Sequence, residues 1–512
     1  MKQLYTLCSS LFLAYLVQAQ VPEDALRMAY IHPGGTAREQ AIGGAMGSLG
    51  GDISANYVNP AGLAFYRTGE LILTPGWSFD GVKTSYLSTS GQNTANHFVM
   101  GASGFVKGWG DQNSSTTFSV SVNQTGDFKS HYTYQGSNNY SSGSEAYLEE
   151  FNASGESISQ ALTDPNLSYG TRMALYTYLI DTSLGGAGPN ISQPGKVLAA
   201  GGQLGQRNEI TSCGGITEID LGLAGMNNEK FYYGLSMGIP IMNYQATTQF
   251  TESDLSGNAH NDFNSYTYSE SHSTTGVGVV FRLGGIYRPS LNWRIGLAVH
   301  TPSLYYITDR VSANMVANTE DYAGTISVNS ASLDQQANAI NSLNYELVTP
   351  WHFLVSGSYI FPGLLTEGKM GFITADIEYQ TNISSKFSFQ PNSDGSTPDN
   401  SYYDPLNSTI KSYYKNTFNF RMGGEYKVDE LAFRIGGSYS MDPYRSSQLN
   451  ASLGTISGGI GYRKHGILVD LTYVESISNN VNFPYRLSGK DNIYSTVKAY
   501  SGSLLLTFGI KI

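Results

Sequence analysis

Apolar and other side chains alternate residue by residue along several stretches of the chain. In one stretch, Phe418, Phe420 and Met422 share one side, whereas Asn419 and Arg421 share the other. The same period of two recurs in three further stretches, 293–299, 431–439 and 467–473. Because successive side chains of a strand point to opposite faces, the pattern predicts strands with one apolar face and one face of glycine, polar and charged residues.

Fourteen such strands are predicted, and the links between them alternate in length. The strands begin near residues 69, 95, 115, 215, 230, 275, 291, 349, 368, 416, 430, 451, 466 and 500. Six short links alternate with seven long ones, which include 80–94, 128–214, 302–348 and 380–415. Outer-membrane barrels have short periplasmic turns and long outer loops, whereas a soluble β-sandwich has no reason to keep this alternation. We therefore expect an all-β protein, a 14-stranded antiparallel transmembrane β-barrel.

Composition agrees with a membrane barrel. Charged residues make up 13 % of the 512, the formal net charge is −11, and Gly (58) and Tyr (37) are abundant. Nucleic-acid binding needs clustered Lys and Arg, so no nucleic-acid partner is expected. An aromatic content of 12 % argues against disorder. Tyrosine rings settle at membrane interfaces, which accounts for their number.

The first 19 residues have the features of a secretory signal peptide. Lys2 precedes a mostly apolar run, and small residues favour cleavage after Ala19. Removal of Cys8 would leave Cys213 as the one cysteine of the mature chain, so no intrachain disulfide is expected. Beyond residue 20 no apolar run is long enough for a transmembrane helix. An outer-membrane barrel in a Gram-negative bacterium and a secreted soluble fold remain as destinations, and the link pattern favours the barrel.

The last strand runs to the final residue. Its apolar side is formed by Tyr500, Gly502, Leu504, Leu506, Phe508, Ile510 and Ile512. A terminal strand of this kind is similar to the signal that outer-membrane proteins present to the barrel-assembly machinery, which is therefore an expected partner. Among the outer loops, residues 145–182 predict two short amphipathic helices and residues 333–347 a weaker one. These helices either pack on the barrel rim or form an apolar landing groove.

Residues 20–67 do not alternate and are rich in glycine and alanine. Such a sequence allows backbone to pack closely against backbone. It lacks the glycine patterns of nucleotide-binding loops. We expect this segment to plug the lumen of the barrel formed by residues 68–512.

The motif in this segment resembles the N-terminal hatch of FadL-type outer-membrane transporters. The residues that carry the resemblance lie within 41–64, above all Asn59-Pro60-Ala61-Gly62-Leu63-Ala64, with Asp52, Ser54 and Tyr57 before them. The family takes up long-chain fatty acids and aromatic hydrocarbons, and its barrels have fourteen strands. The resemblance implies that Asn59, Pro60, Ala61 and Gly62 gate the channel. It also implies a lateral opening near the third strand, around residues 118–125.

The predicted function is passive uptake of hydrophobic small molecules, most simply long-chain fatty acids. A carboxylate in an apolar pocket needs a cationic partner. The alternation puts four candidates on the lumen face: Arg282, Arg294, Arg421 and Arg434. Alternatively, these arginines pair with lumen acids such as Asp376, Glu378, Glu425 and Asp470 and organise the interior.

No enzyme is expected, because the sequence has neither a nucleophile elbow nor a paired-histidine metal motif. No catalytic residue, metal or cofactor is therefore predicted. The expected surroundings are outer-membrane lipid and lipopolysaccharide, and the expected state is a monomer. A surface adhesion or structural barrel, a haemin channel and a general solute porin remain as alternatives. A porin would have sixteen to eighteen strands and no plug.

Overall fold

A computed structural model describes residues 22–29, 34–111, 113–182, 190–337, 342–362, 369–391, 399–447 and 449–512. The predicted signal peptide lies outside the described residues. Fourteen strands form the barrel, several of them interrupted once. They are β1 (Gly69–Leu73, Pro75–Tyr86), β2 (Thr89–Met100, Ser103–Gly110), β3 (Ser114–Asp127, Ser130–Asn138), β4 (Leu204–Asn227), β5 (Phe231–Asp254), β6 (Ser265–Tyr287), β7 (Trp293–His300, Leu304–Asn318), β8 (Ser342–Val348, His352–Pro362), β9 (Lys369–Gln380, Lys386–Phe389), β10 (Thr417–Val428), β11 (Leu431–Ser440), β12 (Leu453–Lys464), β13 (Ile467–Asn482) and β14 (Ser495–Lys511).

Antiparallel pairing of consecutive strands closes the sheet into a barrel. The ring is completed where β1 pairs with β14, from Glu70 opposite Lys511 to Ser85 opposite Thr496. This confirms the predicted 14-stranded antiparallel barrel. The short turns that follow β4, β6, β10 and β12 all lie at one rim, which is the periplasmic rim by the usual topology of such barrels.

Several strands are longer than the sequence pattern predicts. β4 begins at Leu204 and β6 at Ser265, about ten residues before their expected starts. Beyond the membrane both faces of a strand are polar, so alternation no longer marks it. For the same reason most of residues 80–94, where a long link is expected, lie in strands. It turns tightly at Leu87 and Ser88, which both have positive φ, a conformation that asparagine or glycine usually signals.

The outer surface of the barrel is an apolar belt. Six of its side chains are between 54 % and 70 % exposed: Leu71, Leu223, Leu283, Ile373, Ile435 and Ile456. Charged side chains of the opposite parity are buried inside, among them Asp220, Asp376 and Asp470. A soluble sandwich would bury the apolar face, so this surface belongs in a bilayer. Among the described helices, none is long and apolar enough to cross a membrane.

Four short helical elements precede the barrel. They are α1 (Pro22–Ala29), α2 (Ala37–Ala41), α3 (Ala55–Val58) and a 3₁₀ turn (Pro60–Phe65). Residues 34–65, here named the N-terminal segment, contact inward-facing side chains of β3, β9 and β14. A segment that contacts strands so widely spaced around the barrel must cross the lumen. That it acts as a plug remains a prediction.

The outer loops contain the remaining helices. The loop after β3 holds α4 (Gly143–Ser154), α5 (Ile158–Ala161), α6 (Tyr169–Tyr176) and α7 (Gln193–Ala199), so helices do form within 145–182. A further loop holds α8 (Ser330–Ala337), and the loop after β9 holds α9 (Asp404–Tyr413). The helix expected over 333–347 is wrong in its second half. Leu343 and Leu347 lie on β8, an extended strand in which they share one face of the sheet, and Ile340 lies outside the described residues.

Candidate functional site

The N-terminal segment approaches the inner wall so closely that the wall has glycine at the contacts. A Cβ atom on Gly284 would lie 1.8 Å from Asn59 Oδ1, and one on Gly234 would lie 2.3 Å from the Pro60 carbonyl carbon. Three further inner-wall glycines touch the backbone of the segment in the same way: Gly296, Gly423 and Gly436. Any larger residue at these positions would displace the segment.

The four predicted gating residues form the turn that makes this contact. Asn59 is fully buried. Its amide nitrogen donates to another carbonyl of the segment at 2.6 Å and lies 3.3 Å from a carbonyl of β7. Its Oδ1 accepts from the Ala61 N–H, which caps the 3₁₀ turn that Pro60 begins. The Gly62 carbonyl accepts from the Gly51 N–H at 2.9 Å. The asparagine thus ties the segment both to itself and to the barrel wall.

Polar side chains of the wall fasten the rest of the segment. Asp376 on β9 accepts from the Gly47 N–H at 3.0 Å. Thr507 on β14 accepts from the Ala37 N–H at 2.8 Å. These bonds satisfy backbone donors that would otherwise be buried without partners. Movement of the segment would therefore break specific hydrogen bonds as well as packing.

Two of the four candidate arginines are buried between carboxylates. Arg282 lies 2.5 Å from Glu218 and 2.9 Å from Asp220. Arg434 contacts Glu425 at 2.6 Å and Asp470 at 2.5 Å. Both side chains are at most 3 % exposed. Each guanidinium is paired with two carboxylates of the wall. This arrangement corresponds to the alternative given in the sequence analysis, in which the arginines organise the interior.

The other two arginines differ from these. The Arg294 guanidinium donates to the Leu49 carbonyl and stacks over the ring of Phe65 at 4.3 Å. It makes no carboxylate contact within the described part of the chain. Arg421 contacts one acid, Glu378 at 2.8 Å, and keeps 15 % of its side chain exposed. The structure therefore does not gather all four candidates into one site.

A small polar cavity of about 80 Å³ borders the outer side of the N-terminal segment. Arg282, Arg421, His300 and His352 line it together with Glu39 of α2. A space of this size holds a few water molecules and no long hydrocarbon chain. Arg294 and Arg434 are not among its lining residues.

A larger apolar cluster, here named the aromatic chamber, lies next to this cavity among the outer parts of the barrel. Its walls come from β4, β5, β7, β8, β9, the loop after β9 with α9, and the loop after β11. They include Tyr305, Ile307, Tyr345, Leu347, Phe387, Tyr403, Leu406, Ile410, Tyr414 and Tyr444. Helix α1 fills its centre, with Ala25 and Met28 only 1 % and 3 % exposed. Arg27 stacks over Tyr244 at 4.2 Å and pairs with Asp24. The sequence pattern did not predict this helix, which precedes the N-terminal segment.

The barrel wall is incomplete between β2 and β3. Their backbone ladder ends where Ser103 pairs with Val122. Above that point the described residues are joined by side chains. His97 Nε2 lies 2.5 Å from Asp127 Oδ2, and the Met100 N–H donates to Gln124 at 3.2 Å. We call this stretch the wall seam. It overlaps residues 118–125, where the sequence resemblance implies an opening.

The wall seam is joined to the N-terminal segment. Where β2 is interrupted, the Ala102 N–H donates to the Gly35 carbonyl at 3.1 Å. The neighbouring Gly101 N–H donates to Thr74 at the interruption of β1. A β3 bulge near Gln124 shifts its register with β4. A bulge bends its strand, and this one lies beside the point where the β2–β3 ladder ends.

Metal chemistry finds no support in the described part of the chain. No group of three or more His, Cys, Asp or Glu residues there is placed to hold a metal ion. The two closest histidines in the cavity, His300 and His352, have other contacts. His300 lies 2.9 Å from the Val58 carbonyl, and His352 lies 3.0 Å from Glu378.

No protein-family model and no curated protein sequence matches the chain. Solved structures that share its fold include the following two. A FadL homologue of Pseudomonas aeruginosa is 13 % identical with a TM-score of 0.55, covering 94 % of this chain and 99 % of that one. The P. putida toluene transporter TodX is also 13 % identical, with a TM-score of 0.52 and the same coverage. The chain thus has the FadL-type fold that its N-terminal motif implied. With the apolar belt, this confirms the outer membrane of a Gram-negative bacterium as its location.

Glu39 makes the stability of the segment depend on pH. Burial, with a smaller effect of Asp52, raises the pKa of this carboxyl well above its usual 4.5. Below pH 4.5 both the folded and the unfolded states hold the proton. As pH rises further the unfolded state ionises first, so the wild type loses stability until the folded pKa is passed. E39Q does not titrate. We expect the thermal midpoint of the wild type to fall relative to E39Q as pH rises above about 4.5. If the difference in thermal midpoint did not change with pH, the conclusion that burial raises the pKa of Glu39 would be wrong.

Proposed function

We propose that this protein is a channel for passive uptake of hydrophobic small molecules, with long-chain fatty acids as the first substrate class. The aromatic chamber carries the proposal. It is a packed apolar cluster between the outer loops and a lumen that the N-terminal segment crosses. The fold neighbours are a FadL homologue and a toluene transporter. Lipopolysaccharide packs tightly at the cell surface, so a hydrophobic molecule gains from a protein route through this layer.

In this proposal the substrate enters the aromatic chamber in place of α1. Ala25 and Met28 occupy the chamber centre with an alanine methyl and a thioether, groups that an alkyl chain or an aromatic ring can replace. Displacement of the helix costs part of the binding free energy. The same displacement pulls on the N-terminal segment, since α1 and α2 are separated by only seven residues.

Arg421 is the candidate partner for a carboxylate headgroup. Of the two arginines that face the polar cavity, Arg282 is balanced by two acids, whereas Arg421 contacts one. A fatty acid with its chain in the aromatic chamber would bring its carboxylate towards this cavity. The other arginines then hold the wall and the segment in place.

The wall seam is the proposed exit. Above Ser103 no backbone ladder holds β2 to β3 in the described residues, so separation there breaks side-chain contacts only. Loss of the Gly35 contact frees the Ala102 N–H on the β2 side of the seam. Movement of the segment and opening of the wall are thus linked. The substrate would leave sideways into the membrane.

The first prediction from this proposal concerns the glycines that admit the N-terminal segment. The variant G234A/G284A adds two methyl groups that overlap Asn59 and Pro60. We expect it to loosen the segment and to raise the passage of small sugars in a liposome-swelling assay. G285A/G357A is the matched control, because the nearest atom to a Cβ at Gly285 is 3.9 Å away and Gly357 has none within 4 Å. Equal sugar passage through the two folded variants would contradict the prediction that the N-terminal segment plugs the lumen.

The second prediction concerns α1. A25D/M28D puts charges into the aromatic chamber and should expel the helix. A fluorescent fatty acid would then bind without displacing it, and the apparent Kd should fall roughly tenfold if α1 is docked in about nine of ten molecules. E23Q, which changes a residue of the same helix outside the apolar contact, should leave the Kd unchanged. Weaker binding by A25D/M28D would show that α1 is part of the site and does not compete for it.

The third prediction concerns the wall seam. H97A/D127N removes the shortest contact across it. We expect faster uptake of hydrophobic substrate with no rise in sugar passage, because the N-terminal segment still crosses the lumen. H131A is the control, since His131 contacts Thr211 inside the continuous ladder of β3 and β4. Unchanged hydrophobic uptake, or a rise in sugar passage, would exclude the wall seam as the exit.

A further inference from the structure

Two lysines face each other on the outside of the barrel where the sheet closes. Lys83 of β1 pairs directly in register with Lys498 of β14, and both side chains are exposed. Residues opposite each other in an antiparallel pair have Cβ atoms about 5 Å apart. Like charges at this separation repel and destabilise the pair of strands. The arrangement therefore needs a compensating group.

The described protein residues do not supply that group. Gln92 of β2 lies opposite Lys83 on its other side, and Asn479 of β13 lies opposite Lys498. Both are exposed, and both are neutral. Glu475, the nearest acid along β13, lies four residues from Asn479 and accepts from the hydroxyl of Tyr473. Neither lysine forms an ion pair with any acid in the described ranges. The result is a row of four hydrogen-bond donors, Gln92, Lys83, Lys498 and Asn479, here named the lysine row.

The lysine row lies at the outer edge of the apolar belt. On β14 the outward side chains from Ile510 to Tyr500 span ten residues, about 33 Å of strand and about 25 Å of height at the usual tilt. That height matches the apolar band of an outer-membrane barrel. Tyr500 therefore sits at the outer interface, and Lys498 lies one step beyond it. The Lys83 ammonium lies 5.5 Å from the Tyr500 ring centre, which fixes its level.

At this level the barrel meets the headgroups of the outer leaflet. We propose that the lysine row binds a phosphate group of the lipid A part of lipopolysaccharide. Two ammonium groups supply the charge, and the flanking amides of Gln92 and Asn479 can donate to the remaining phosphate oxygens. The acyl chains of the same lipid lie against the belt below, where Phe79 and Leu504 are exposed. A membrane lipid satisfies both parts of this surface, whereas a free phosphate ion satisfies only the upper part.

Binding there would also stabilise the fold. β1 and β14 are the first and last strands, so their pairing closes the barrel. A phosphate between Lys83 and Lys498 removes the repulsion across this closing pair. The site is independent of the proposed transport function, since it lies on the outside of the wall.

The test uses purified full-length mature protein in a non-ionic detergent. Native mass spectrometry measures its affinity for diphosphoryl lipid A and for the same lipid after enzymatic dephosphorylation. We expect the wild type to bind the phosphorylated lipid at least about tenfold more tightly, a difference of about 1.4 kcal/mol. This preference should disappear in K83Q/K498Q. It should persist in K107Q/K230Q, which removes two exposed lysines at the periplasmic rim.

The heat-dependent shift of a folded barrel on an SDS gel shows that each variant is folded. A second pair, K83R/K498R, keeps the charge and should keep the preference. The proposal is overturned if K83Q/K498Q still prefers phosphorylated lipid A or if the wild type has no preference. It is also overturned if inorganic phosphate competes as well as the lipid, since the row would then be an anion site without a lipid. None of these results depends on uptake activity.

Discussion

The contact between the N-terminal segment and the inner-wall glycines is the constraint on which the rest of the structure depends. A chain that crosses a barrel lumen must satisfy its backbone donors and acceptors and still fit between the walls. Glycine at 234, 284, 296, 423 and 436 provides the space, because a Cβ at any of these positions would overlap the segment. Asn59 then uses the space to bond to the backbone of the wall.

Ion pairs inside the barrel wall also help to hold the N-terminal segment. Removing an ion from water is costly unless a partner and further hydrogen bonds compensate for it. Arg282 and Arg434 are each held by two acids, of which Glu425 lies on the adjacent strand and the other three lie two strands away. Glu425 also lies 3.8 Å from Arg38 of the N-terminal segment, so the ion-pair network of the wall extends to the segment. The lumen is therefore polar, whereas the proposed apolar route for a substrate lies above it, in the aromatic chamber.

Much of the barrel could be predicted from the sequence, because a lipid-facing wall imposes strict alternation within the membrane. The same reasoning failed beyond the membrane, where polar residues occupy both faces and the strands around Leu204 and Ser265 continue unmarked. Loop helices near Tyr147 and Met173 were predictable from their apolar spacing. Burial of α1 in the aromatic chamber was not, because its partners come from distant parts of the chain. The lumen position of the four arginines followed from parity, but their carboxylate partners depend on register between strands.

The most direct test of the central claim is the initial rate of labelled oleate and toluene uptake by Gram-negative cells that lack their own hydrophobic channel. Expression of the wild-type chain should raise uptake of at least one of these molecules several-fold, and the passage of small sugars should stay at the level of cells without it. Faster sugar passage with unchanged oleate and toluene uptake would contradict the account. The barrel would then be a water-filled pore, and neither the aromatic chamber nor the wall seam would serve transport.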